Sequence, residues 1–358
     1  MIQLAKPQIG RLERRAVNRV LKSLKLAQGT EVKAFESEFS ELVDGRECVA
    51  VNSGTSALHL CLLTLGVGAG DEVIVPSFTF AASANVIRLV GATPVFVDID
   101  LKTYCADVKS IELAITPNTK AIIVVHLYGL MAEMSLIMKV AKKFNLLVIE
   151  DSSQAHLADI DGKTAGSFGD AAAFSFYPTK NMTTSEGGMA VFQNLQDSRM
   201  CRLLRNQGMD KRYQNEVIGF NLRMTEIEAA IGRVQLRKLE NLTSRRIENA
   251  EFLSQHIESH DIPFTPEGYR HVFHQYTVRI RSNRDDFLRS LHEAGVGCDV
   301  YYPTPVHKLK PFSCDSHLVQ TDVASNQVLS LPVHPGLSKR ELKKVVSEFN
   351  RVVSRRIE

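Results

Sequence analysis

Between Cys48 and Met189, short runs that are apolar from end to end alternate with segments of helical spacing, and no other feature of the chain restricts its fold as much. Residues 47–51 read as a strand followed by a helix over 55–65, and residues 72–75 as a second strand followed by a helix over 81–90. Further strands are predicted over 94–97, 121–125, 146–149 and 171–174, with helical stretches between most of them. A strand with no polar face needs cover on both sides, which intervening helices supply, so the pattern predicts a mostly parallel sheet in an α/β fold. Ligands of such sheets sit beyond the carboxyl ends of the strands. Ser53, Asp151 and Ser175 all fall at or just past those ends.

The 358 residues exceed what one small core needs and suit a large domain with a smaller companion. Residues 226–257 carry a long helical pattern, with Ile227, Ala230, Ile231, Val234 and Leu236 leading into Leu239. Beyond it, a strand over 274–280, a helix over 285–294, a second strand over 296–301 and a terminal helix over 339–353 predict a small α+β domain. The expected division is 1–239 and 240–358.

Charge and cysteine usage narrow the function classes. The 43 basic and 40 acidic residues are interspersed and sum to +3, which gives no case for a nucleic-acid partner. The basic run from Arg351 to Arg356 reads as a solvated helix end. The six cysteines show neither zinc-type nor redox-type spacing, as expected in a reducing compartment and with no metal site. No stretch approaches the roughly 20 apolar residues of a membrane span, and the first residues lack a signal-like apolar core. A cytoplasmic protein without membrane association is expected.

Lys180 lies in Phe174-Ser175-Phe176-Tyr177-Pro178-Thr179-Lys180-Asn181, just past one apolar strand, while Asp151 ends another. An amine, a hydroxyl five residues before it and a strand-end carboxylate suit a covalently held pyridoxal phosphate. The amine attaches the cofactor, Ser175 helps hold its phosphate, and Asp151 keeps the pyridine nitrogen protonated. Asn52-Ser53-Gly54-Thr55-Ser56-Ala57 joins a strand to a helix whose amides and hydroxyls favour an anion. Alone it is what a helix cap requires; with Lys180 and Asp151 downstream it reads as a phosphate cradle. Gly66-Val67-Gly68-Ala69-Gly70 follows a helix instead of a strand, so it is a helix-ending turn and not a dinucleotide fingerprint. Gln154 can rest near a ring oxygen, Phe80 can stack on a pyridine, and His156 reads as a packing residue.

These segments resemble the sugar aminotransferases of the DegT/DnrJ/EryC1/StrS family, and the resemblance runs almost end to end. It includes Gly70-Asp71-Glu72-Val73-Ile74-Val75-Pro76, Gly91-Ala92-Thr93-Pro94-Val95-Phe96-Val97-Asp98, Glu150-Asp151-Ser152-Ser153-Gln154-Ala155, Gly166-Ser167-Phe168-Gly169-Asp170, Gly219-Phe220-Asn221-Leu222-Arg223-Met224 and Tyr301-Tyr302-Pro303. It implies the fold type I architecture of pyridoxal-phosphate transferases, with a large, mostly parallel sheet domain flanked by helices and a smaller C-terminal α+β domain. It implies that Lys180 anchors the cofactor, Asp151 pairs with the pyridine nitrogen, Gln154 and Phe80 flank the ring, and Thr55, Ser56 and Ser175 hold the phosphate. Asn221 would reach the phosphate of a neighbouring subunit, which implies a homodimer with shared active sites. His307 and Glu186 would face the sugar nucleotide. A lysine at position 180 sets the chain apart from relatives with histidine there, which are dehydratases. Lys25 stands where relatives usually have glycine. The segment Thr183-Thr184-Ser185-Glu186-Gly187-Gly188 resembles members that aminate a 4-keto sugar. The expected reaction carries an amino group from L-glutamate to a nucleotide-linked 4-keto-6-deoxyhexose. A 3-keto sugar nucleotide or cyclitol as acceptor, or a non-catalytic regulatory protein holding the same cofactor, are the alternatives.

Overall fold

Each of the six apolar runs becomes a strand of one sheet in the computed structural model, which describes residues 1–259 and 261–354. Helices α1 (Arg11–Ser23) and α2 (Thr30–Ser40) come first. They are followed by β1 (Glu47–Val51), α3 (Gly54–Thr64), β2 (Glu72–Pro76), α4 (Ala82–Leu89), β3 (Thr93–Val97), α5 (Val108–Leu113) and β4 (Thr119–Val125). Helix α6 (Met134–Phe144), β5 (Leu147–Asp151), β6 (Ala171–Ser175) and β7 (Gly188–Phe192) complete the sheet, in the order β1-β7-β6-β5-β4-β2-β3. Neighbours from β6 to β3 are parallel, while β7 runs antiparallel to both β6 and β1. The sequence pattern did not reveal β7. A parallel return needs a crossover, usually a helix; residues 176–187 contain none, so the chain turns straight back.

That turn is the seat of Lys180. Phe176 N donates to Gly187 O at 2.9 Å and Thr184 N donates to Phe176 O at 3.0 Å, closing the base of the loop. Thr183 Oγ1 donates to Phe176 O at 2.8 Å and accepts from Ser185 N at 3.0 Å. Two glycines let the neighbouring helix press onto it. A Cβ on Gly54 would lie 2.6 Å from Ser175 Cβ, and one on Gly188 would lie 2.4 Å from Ser53 O. Any side chain at either position pushes the start of α3 away from the ends of β6 and β7.

Helix α7 (Leu195–Arg205) leads to the long helix α8 (Glu226–His256), whose start does double duty. Thr225 and Glu228 close a capping box, with Glu228 N donating to Thr225 Oγ1 at 3.2 Å and Thr225 N to Glu228 Oε2 at 2.7 Å. Glu226 then caps a different helix. Its buried carboxylate accepts from Gly29 N, Glu31 N and Val32 N, each at 2.9 Å, at the start of α2, where Gly29 has no side chain to serve as a cap. At the preceding turn the left-handed position is taken by Leu24 (φ 58°), so Lys25 needs no special backbone conformation.

The expected division at residue 240 falls inside α8, which continues without a break. What changes there is the packing. Ala230 and Val234 meet Ala16 and Val20 of α1, and Leu239 joins the core beneath Phe35 and Phe176, whereas Ala250 and Leu253 belong to a second core. That core is built by β8 (Tyr276–Arg279), α9 (Arg284–Glu293), β9 (Val328–Leu331) and α11 (Lys339–Ser354), with α10 (Val319–Gln327) leading into β9. The strand expected over 296–301 does not form. Gly297 N donates to Ile2 O at 2.8 Å and Ile2 N to Gly295 O at 2.8 Å, while Ser330 N donates to Asp299 O at 2.8 Å, so the stretch is divided between two isolated bridges. Strand β8 pairs antiparallel with β9 instead. Of the basic C-terminal run, Arg351 pairs with Glu348 at 2.7 Å; Arg355 and Arg356 lie outside the described residues. Among the described residues no helix is long and apolar enough to cross a membrane.

Candidate active site

A cavity of about 500 Å³ opens where β1, β4, β5 and β6 end, its wall including Ser53, Val125, Asp151 and Ser175. Lys180, Thr55, Phe80, Gln154 and Glu186 also line it, so seven of the ten residues singled out from the sequence meet around one space. Every strand-end residue comes from a different strand. Only the sheet could gather them.

Asp151 is 6% exposed, and each of its oxygens faces a donor. Ser83 Oγ donates to Oδ2 at 2.7 Å and Ser153 N donates to Oδ1 at 3.2 Å. Gln154 is held by its own carbonyl, which accepts from Tyr128 N at 2.8 Å, and its amide donates to Tyr302 Oη at 3.2 Å. Phe80 is 60% exposed although it sits against the cavity, a large ring left uncovered beside Tyr302, whose ring lies 6.1 Å away. Glu150, next to Asp151, points into the protein and accepts from His126 Nε2 (2.9 Å), Gly166 N (2.9 Å), Phe168 N (2.8 Å) and Gly169 N (2.7 Å). It therefore anchors the 166–170 segment and leaves the cavity to Asp151.

Three expected residues are not brought to the cavity. Ser56 has the role the cap reading assigns to this motif: Ser53 Oγ accepts its amide at 3.1 Å, and its hydroxyl donates to Asn52 Oδ1 at 2.7 Å. Ser53 lines the cavity in its place. His307 is buried, with Nδ1 2.6 Å from Ser77 Oγ and its backbone N donating to the same oxygen at 3.1 Å. It pins the chain after Pro305 to the end of β2, and its ring faces Phe96 instead of the site. Asn221 is exposed on the outer surface, accepting from Arg223 Nε at 3.0 Å. Thr79, Tyr177, His274 and Gln275 also line the wall, with no pattern in the chain that marks them for it. Tyr301 and Tyr302 stood in a motif that carried no chemical role.

Protein surrounds the Lys180 side chain, although water reaches it through the cavity. Burial pushes its amine down to about 8, against the opposing pull of Asp151. His156 is packed between Phe174 and Phe176, its ring centroid 5.3 and 5.7 Å from theirs, and burial together with the Lys180 charge pushes it down to about 3. Burial also holds His274 well below the usual histidine range. Both imidazoles stay neutral at physiological pH, which leaves Lys180 as the group near the cavity poised to gain or lose a proton there. At pH 7.5 an amine titrating at 8 is neutral in about a quarter of molecules, against about a thousandth for one at 10.5. The rate at which cofactor-free protein captures pyridoxal phosphate should therefore rise with pH and level off above about 8. A rise continuing towards pH 10, followed by stopped-flow absorbance, would show an ordinary lysine.

The donor set fits pyridoxal phosphate on several counts. The start of α3, pressed against Ser175 at Gly54, offers free amides and the Thr55 hydroxyl for a phosphate. The uncovered Phe80 ring provides a stacking face, Asp151 offers a carboxylate for a pyridine nitrogen, and Lys180 offers an amine. Such a site on such a sheet defines a pyridoxal-phosphate enzyme of fold type I. The chain belongs to the DegT/DnrJ/EryC1/StrS aminotransferase family, whose sequence profile matches residues 7–350. It is 40% identical over 342 residues to UDP-N-acetyl-3-dehydro-α-D-glucosamine 3-aminotransferase of Acidithiobacillus ferrooxidans, covering 94% of this chain and 92% of that protein. Among solved structures, S. venezuelae DesV in complex with a ketimine intermediate superimposes with a TM-score of 0.91 at 36% identity, over 95% of this chain and 94% of that one. The pyridoxal-phosphate form of the sugar aminotransferase Spr1654 from Streptococcus pneumoniae gives 0.93 at 29% identity, over 99% of each chain.

Proposed function

We propose that this aminotransferase moves an amino group from L-glutamate to the 4-keto carbon of a nucleotide-linked 4-keto-6-deoxyhexose. The observation that carries an amino-transfer reading is Lys180, an amine with a lowered proton affinity in the same cavity as the doubly hydrogen-bonded Asp151. When bound, pyridoxal phosphate supplies an aldehyde carbon for amines and a ring that accepts an electron pair. Lys180 would hold the cofactor through its amine and, once free as a neutral base, would move a proton between the donor Cα and cofactor C4′. Asp151 holds a proton at the pyridine nitrogen. Thr55, Ser175 and the amides of α3 fix the phosphate, Phe80 and Gln154 keep the ring from tilting, and Glu186 faces the incoming sugar. The same residues act in reverse order on the keto acceptor.

The 4-position rests on the Thr183–Gly188 segment, which brings Glu186 to the cavity wall. A second reading, transfer to a 3-keto sugar nucleotide, is favoured by the Acidithiobacillus relative, which is named a 3-aminotransferase. Incubating the enzyme and glutamate with 3-keto and 4-keto nucleotide sugars, and locating nitrogen in the product by NMR, decides between them. Nitrogen at C4 is expected; product formed from the 3-keto substrate alone overturns the first reading. The exposure of Asn221 supports a homodimer in which it reaches the neighbouring phosphate. Mixed dimers of Asn221→Ala and Lys180→Ala subunits should then regain about half of wild-type activity per purified heterodimer, because one of the two sites is complete. Absence of complementation in purified heterodimers speaks against shared sites.

A further inference from the structure

We propose that Ser83, backed by Thr79, is a positioning residue that keeps the Asp151 carboxylate aimed at the cofactor; the proposal rests on the reading of Asp151 as partner of the pyridine nitrogen. Ser83 lies in the first turn of α4, is fully buried, and its hydroxyl donates to Asp151 Oδ2 at 2.7 Å. Having spent its one proton there, it can only accept from Thr79, whose Oγ1 lies 3.2 Å from it. The order of donation is therefore fixed: Thr79 to Ser83, Ser83 to Asp151. Aligned hydroxyls polarise one another, so the relay donates to the carboxylate more strongly than Ser83 would alone.

The orientation of Asp151 depends on such donors. Without the Ser83 hydroxyl, nothing in this contact set fixes Oδ2, and the carboxylate can turn away from the cavity. A carboxylate out of line with the pyridine nitrogen holds the ring proton less well, and the ring then accepts an electron pair less readily. Ser153 N is the second donor, but at 3.2 Å it is the weaker contact. The placement is also economical. Phe80 and Ser83 flank the start of α4, so one turn presents a stacking ring to the cavity and a hydroxyl to the carboxylate beside it.

The experiment measures pyridoxal phosphate affinity of cofactor-free protein by equilibrium absorbance, and the pH midpoint of the bound cofactor's visible spectrum, in four variants. Ser83→Ala should bind roughly tenfold more weakly, the order of one hydrogen bond to a charged group, and move the spectral midpoint by about one pH unit. Ser83→Thr, which keeps the hydroxyl, should hold the wild-type midpoint. Thr79→Val, which leaves the Ser83 contact in place, should shift it in the same direction by less. Asp151→Asn is the reference. If it alters the spectrum and Ser83→Ala does not, the relay is wrong and the reading of Asp151 stands. If Asp151→Asn also behaves as wild type, that reading fails first. A Thr variant as altered as the Ala variant reduces Ser83 to a packing role and overturns the proposal.

Discussion

Lys180→Ala is expected to lower turnover by about 10⁴-fold or more, since it removes both the attachment point and the base. The fold should survive. Lys180 stands in a turn whose backbone is held by its own amide on Tyr177 O at 2.9 Å and by the bonds closing residues 176–187, none of which uses the side chain. Its amine also titrates far below an exposed lysine, so the cofactor-free fold gains little from its charge. Three measurements belong together. The visible absorbance of bound cofactor should lose its covalent band, borohydride should no longer label the peptide containing residue 180, and small added amines should restore part of the turnover. The last is diagnostic of a missing base, because an amine that diffuses into the cavity can carry a proton but cannot repair a misfolded wall. Turnover within tenfold of wild type would remove Lys180 from the chemistry.

The contrast between Lys180 and His307 shows what the chain discloses by itself. The six strands could be read because they are apolar from end to end, a property of consecutive residues. The residues that end those strands then follow from topology: Ser53, Asp151 and Ser175 share an edge whatever the details. Strand β7 is not marked in the sequence because its direction depends on the absence of a helix in 176–187, and β9 because its pairing with β8 joins segments far apart in the chain. His307 has the chemistry of a substrate ligand and the surroundings of a clamp; only its 2.6 Å contact with Ser77, 230 residues away, distinguishes them. Ser83 is the converse. A serine early in a helix carries no signal in sequence, and it matters because β5 ends opposite α4. Side-chain type is written locally, whereas a partner across the sheet is not.

Asp151→Asn provides the second large effect, of a different kind. Asparagine nearly matches the shape of aspartate, so the contacts proposed for Thr55 and Ser175 with the phosphate and for Phe80 with the ring would be untouched, and affinity for pyridoxal phosphate should fall modestly, within about tenfold. The rate should fall much further, by about a thousandfold. Asp151 offers two acceptor oxygens, one taken by Ser83 Oγ and one by Ser153 N, with lone pairs remaining for a pyridine N–H. Asparagine has one carbonyl for three donors. If it faces the Ser153 amide, its NH₂ points at Ser83, whose hydroxyl must turn round to accept; if it faces Ser83, the NH₂ opposes the amide. In neither orientation is there a negative charge to hold a proton on the ring, so the electron pair released at the substrate Cα has a poorer acceptor. Single-turnover absorbance with glutamate in excess isolates this step from product release, and the predicted pattern is retained binding with a slowed half-reaction. An unchanged half-reaction rate would mean that the carboxylate merely fills space beneath the cofactor.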